Sequence, residues 1–465
     1  MDSLFLPSSS RPAQWISRLA LAGLYGLGVG HWGYFLNWGN IQFDLHDWTE
    51  VGATFSFLRQ AVRTGQLPLH IASPLITTDR YLARPDTLFS PQALLLGFFE
   101  PGRFMLVNVL VMYSVGFLGL LLIRRRYALS PVAFAAMFLL FNFNGHITAH
   151  LAVGHAEWVG YFLLPFFIYL VLNVVNEGRP SWKWTLGVAL TLFLIFLQGA
   201  FHFFLWSLIF LFALGLLYSK YLLPALKAIL FSLLLSLVRI LPPAIEYLKG
   251  GPAFISGFNS VTDLVSALVV LKHPSEALSG PFNSLAYWEI DTFIGLVGLA
   301  FLGYFAVYRV WRRQEPERLL LAPLFVLALF SVGRLYEIIS RLPLPLLDSE
   351  RVPSRFLILP VAFLIVLASI ELQRWLAERE AAGWRERLLF LALLAWMGQD
   401  LLQHSRIWRL NNMYTLFTRT PVDIRAPVAN HPDPPYITAL TIGAVLSLLT
   451  LLFLVYQASR KELAG

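Results

Sequence analysis

Cysteine is absent from the 465 residues, which excludes disulfides, thiolate catalysis and any Cys-ligated zinc or iron–sulfur centre. Charge is scarce as well. Asp, Glu, Lys and Arg make up 13% of the chain, against roughly 25% in a soluble domain. No P-loop or Gly-rich dinucleotide fingerprint follows a strand pattern, so a nucleotide-driven enzyme is excluded. What fills the space is apolar: 57% of residues are hydrophobic, 15% are aromatic, and the mean hydropathy is +0.65. Apolar runs recur along the whole length, and the longer ones match what a helix needs to cross ~30 Å of hydrocarbon. The fold class read from this is all-α: a polytopic helical membrane protein.

Twelve runs are predicted as transmembrane helices: 15–36, 104–123, 130–143, 158–175, 184–197, 202–218, 228–241, 291–310, 319–332, 356–372, 388–402 and 437–456. The first has no small-residue cleavage site and is predicted to be retained rather than removed as a signal peptide. An even count puts both termini on one side. If that side is cytoplasmic, it collects 19 of the 35 Lys and Arg but only 9 of the 27 Asp and Glu, as the positive-inside rule requires. The formal net charge of +8 then follows from topology, and no nucleic-acid partner is needed to explain it. The expected location is a bacterial plasma membrane with both termini cytoplasmic.

The long connections fall on the other side: 37–103, 242–290, 333–355 and 403–436, within one module spanning 1–465. Val51, Phe55, Leu58 and Val62 recur at helical spacing in the first. They predict an amphipathic helix that stops at Gly65 and lies on the membrane surface. All ten histidines fall in these connections or near the outer ends of spans.

Candidate chemistry clusters on that face. Asp44 and Asp47 follow the first span, where a carboxylate could act as a general base. Asp47 with Glu50 also has the form of a helix capping box, whereas Asp44 has no such structural role, so Asp44 is the favoured base. His146 and His150 are four apart, followed by His155 and Glu157. On a helix, the first pair would share a face and could hold a divalent ion or contact substrate, although the flanking Gly145 and Gly154 favour a turn. Arg351 and Arg355 could grip a phosphate, or could be anchors paired with Asp348 or Glu350. Gln198-Gly199 reads as a tight turn before His202, Glu289 and Asp291 precede the eighth span, and Arg239 is predicted to face an internal cavity rather than lipid.

Taken in order, the acidic loop after span one, the Gly-His-xxx-His stretch, Gln-Gly-Ala-Phe-His, Tyr-Trp-Glu-Ile-Asp-Thr-Phe-Ile-Gly-Leu and Arg-Val-Pro-Ser-Arg-Phe resemble the YfhO-like bacterial membrane proteins. That group in turn resembles the GT-C superfamily of polyprenyl-phosphate-sugar glycosyltransferases. The likeness covers roughly residues 15 to 372. It implies an enzyme that moves a sugar from a polyprenyl-phosphate-linked donor to an acceptor on the outer face, with inversion. Asp44 or Asp47 would be the base, and Arg351 and Arg355 would bind the donor phosphate. His146, His150, His155, Glu157, His202 and Glu289 would be substrate contacts. No cofactor is demanded, though a divalent metal could take part. Two other classes fit the composition: a non-catalytic subunit of a membrane complex, and a transporter or flippase.

Overall fold

The structure is a computed structural model that describes residues 2–6, 10–178, 180–247, 255–276, 280–281, 285–341, 350–378 and 383–460. Asp348, one expected partner of the two arginines, lies outside the described residues. So do Arg179, Arg379 and Lys461 of the basic side, and parts of the connections 242–290 and 333–355.

Each of the twelve apolar runs folds as helix, and pairing among the described residues is otherwise limited to isolated β-bridges. Backbone polar groups in hydrocarbon must be satisfied within their own segment, which is why an apolar chain of this kind is helical. Five helices are long and apolar enough to cross a membrane: Pro101–Arg126, Pro131–Val153, Ala156–Glu177, Pro353–Glu378 and Pro434–Arg460. A sixth candidate, Ser219–Leu235 with Leu237–Glu246, is bent by 71°. The chain is therefore an all-α, multi-pass membrane protein. The bend interrupts what reads in sequence as one span over 228–241. The break falls at Ser236, whose backbone leaves the helical region (φ −94°, ψ 7°), while Pro242 and Pro243 lie inside the helix that follows it. The Pro131–Val153 span is also broken, at Asn144, whose backbone is extended.

The chain forms two compact units, each assembled from three separate stretches. The first comprises 1–36, 116–152 and 252–416. Its centre is the Ile358–Glu378 helix, almost wholly buried and packed on Pro131–Phe143 and on the π-helical stretch Leu302–Arg309. Several polar groups inside it are paired. Asp291 Oδ2 meets His404 Nε2 at 2.9 Å, and Thr148 Oγ1 lies 3.3 Å from His404 Nδ1. At one helix end, Glu371 accepts from Arg313 at 2.7 Å and Arg374 at 2.8 Å.

The second unit comprises 37–115, 153–251 and 417–465. The amphipathic helix of the first connection, Trp48–Thr64, belongs to it and ends at Gly65 in the left-handed conformation, as expected. Its apolar face is not left for a lipid surface. Trp48, Ala53, Phe55, Phe57, Leu58 and Ala61 are buried in protein, with Phe55 edge-on to Phe104 and Phe57 against Tyr81.

Candidate functional site

A cavity opens in the second unit, lined among others by Asp47, Glu50, Arg84, Asp86, His155 and Glu157. Two close backbone approaches shape it. Gly154 has φ +104°, and a Cβ there would stand 2.4 Å from the Trp48 nitrogen. Gly199 has φ +85°, and its Cβ would stand 2.2 Å from the Asp86 carbonyl oxygen. Only glycine fits either place, so the Gln-Gly turn is indeed set by geometry.

Asp47 stands at the N-cap position of the Trp48–Thr64 helix, yet its side chain caps nothing. Its backbone is already helical (φ −72°, ψ −9°) rather than extended, so the carboxylate turns away from the first-turn N–H groups. It turns instead to His155, with Oδ2 2.8 Å from Nε2. The capping-box reading is corrected accordingly: Asp47 and Glu50 both line the cavity.

Across the lining, Arg84 pairs with Glu50 and with Asp86, the latter at 3.3 Å. Burial pushes the Glu50 carboxyl above its usual range, against the pull of Arg84. The cavity thus carries four carboxylates, Asp47, Glu50, Asp86 and Glu157, against one guanidinium and one imidazole.

Arg239 underlies this wall. It is fully buried and donates through one terminal nitrogen to the carbonyls of Arg84, Pro85 and Thr87 at 3.0–3.2 Å. The expectation that it avoids lipid holds. It is a strut for the 84–87 loop, a role visible only once residues some 150 positions apart are in contact.

Asp44 is outside the cavity lining. Arg419 grips its Oδ2, with Nε at 3.0 Å, and the Asp44 carbonyl accepts from Thr420 N at 2.9 Å. His202 stacks in an aromatic group, 5.9 Å from the Trp158 ring centre.

The remaining candidates belong to the first unit. His146 and His150 do share a helix face, with ring centres 4.5 Å apart, and both are buried. Glu157, their expected third partner, belongs to the second unit. Arg355 is buried and held by Glu289, with Oε2 2.7 Å from Nε and 2.5 Å from a terminal nitrogen, while Arg351 is exposed. Glu289 thus answers Arg355 itself.

A divalent metal could be held elsewhere in the second unit. Among the described residues one group of three metal-capable side chains converges, His70, Asp79 and His431, with donor atoms within 4.8 Å of one another. Their positions, 70, 79 and 431, have no motif spacing, so pattern reading passed over them. Compared with known proteins, the chain matches no family model and no curated relative.

Proposed function

We propose that the chain is a membrane glycosyltransferase of the GT-C kind. It would take a sugar from a polyprenyl-phosphate-linked donor and pass it to an acceptor on the outer face, with twelve spans and both termini cytoplasmic. The observation that carries this reading is the cavity beside the first long connection, where Asp47 is oriented by His155 and stands among acidic and amide side chains suited to a polyhydroxyl ligand.

In this reading, the acceptor hydroxyl gives its proton to Asp47 as its oxygen bonds to the anomeric carbon. The bond from that carbon to the phosphate oxygen breaks, and polyprenyl phosphate leaves. One displacement inverts the centre and needs no second carboxylate as nucleophile. Asp47 takes the role of base over Asp44, because Arg419 already occupies Asp44.

The test is transfer in lipid nanodiscs from a panel of polyprenyl-phosphate sugars, read as released polyprenyl phosphate. Asp47→Asn should lower turnover by ~10²- to 10⁴-fold, the usual worth of a general base, while leaving donor binding intact. Asp44→Asn should be far milder. Collapse in Asp44→Asn alone would return the base to Asp44. No binding of any lipid-linked sugar by the wild-type chain would overturn the transferase reading and leave a non-catalytic subunit or a transporter.

A further inference from the structure

Three short extended pieces of the second unit lie side by side. Residues 69–72 pair with 79–81 through the His70–Arg80 bridge, with Ile71 N donating to Asp79 O at 2.8 Å and Tyr81 N to Leu69 O at 2.9 Å. On the other flank, 427–430 pairs through the Ile71–Val428 bridge, with Ala72 N donating to Pro427 O at 3.1 Å and Ala429 N to His70 O at 3.0 Å. Pairings of this length do not hold themselves together in water. The second also closes a loop of more than 350 residues between positions 70 and 431, an entropic cost that a few hydrogen bonds meet poorly.

The centre contributes His70 to one spot, one flank contributes Asp79, and His431 follows directly on the other flank. His70 is fully buried. Its Nε2 stands 3.3 Å from Asp433 Oδ2, and its Nδ1, equally buried, has no hydrogen-bond partner. An imidazole buried with one nitrogen on a carboxylate and the other unused has the form of a metal ligand steadied by an acidic partner. That partner is itself fixed, because Arg80 donates to both oxygens of Asp433, at 2.6 and 3.1 Å. His431 Nε2 and Asp79 Oδ2 stand 2.7 Å apart on exposed side chains that can turn toward an ion, and a donor atom of each lies within 4.8 Å of a ring nitrogen of His70. Two imidazoles and one carboxylate suit zinc or a neighbouring first-row divalent ion, with water completing the tetrahedron.

We propose that His70, Asp79 and His431 bind one zinc ion, which clasps the segment 417–433 to the first long connection. This goes beyond the transferase reading and does not depend on it, since it is read without donor or acceptor.

The experiment uses the full chain in detergent with no polyhistidine tag, stripped with a chelator and titrated with zinc against a chromophoric competitor. One zinc should bind per chain. His431→Gln and Asp79→Asn, both on exposed side chains that leave the fold intact, should each weaken it by more than about 100-fold. Asp433→Asn, which weakens the support of His70 together with the Arg80 ion pair, should weaken it by about 10- to 100-fold. Zinc should raise the melting temperature and slow proteolysis within 417–433 in the wild type, but not in His431→Gln. Absence of binding at micromolar zinc would overturn the site. So would binding unchanged in both ligand variants, which would put the ion elsewhere. Zinc bound through these residues without protection of 417–433 would overturn the clasp.

Discussion

Glu289 and Arg355 show what a side chain's partner does to its role. An arginine at the head of a span invites a phosphate, but a buried guanidinium needs a compensating anion at all times, and Glu289 provides it. Glu289→Ala should therefore destabilise the protein by about 3–5 kcal/mol, because it strands a buried charge. Glu289→Ala/Arg355→Met should recover much of that loss, and thermal melting in detergent compares the two. If the single variant melts like wild type, Arg355 is free enough to serve an anionic ligand. Asp44 and Asp47 make the same point in reverse. Three residues apart in sequence, they part company because Arg419 comes back from the far end of the chain to take one of them.

At the scale of elements, the cavity depends on how tightly the start of the Trp48–Thr64 helix is pressed against the turn at 153–155. Asp47 N donates to Val153 O at 3.2 Å, and Gly154 is the residue that allows the approach. Gly154→Ala adds a methyl group at positive φ where there is no room. It should cost more than about 1 kcal/mol and separate Asp47 from His155, so turnover should fall further than the shift in melting temperature alone explains. The 84–87 loop is the second movable wall. Arg239→Met would leave its carbonyls without their buried donor, at a cost on the order of 2–3 kcal/mol. Hydrogen exchange at 84–87 should rise more than in the neighbouring helices, and uniform exchange across the unit would deny Arg239 its strut role.

For the whole molecule, the distribution of Lys and Arg makes a claim about direction, and the absence of cysteine makes it easy to test. In cells, a membrane-impermeant maleimide should label Asp423→Cys from outside, and should label Arg385→Cys only after the membrane is opened. Both positions are exposed and lie on segments that connect helices or begin one. The opposite pattern would invert the orientation and remove the cavity from the face where a lipid-linked donor was proposed to meet it.

That the chain is helical and lives in a membrane follows from composition and run length alone, because both act locally. Twenty apolar residues must satisfy their own backbone in hydrocarbon whatever surrounds them. Where the Trp48–Thr64 helix ends is just as local, since Gly65 carries that signal within one residue. Which polar side chains work together depends instead on the packed fold. Asp47 with His155, Arg239 beneath the 84–87 loop, Arg355 with Glu289, and His70 with Asp79 and His431 are joined across tens to hundreds of residues. Nothing in a local pattern encodes such pairs, because their energy comes from desolvation and geometry that exist only once the apolar helices have packed.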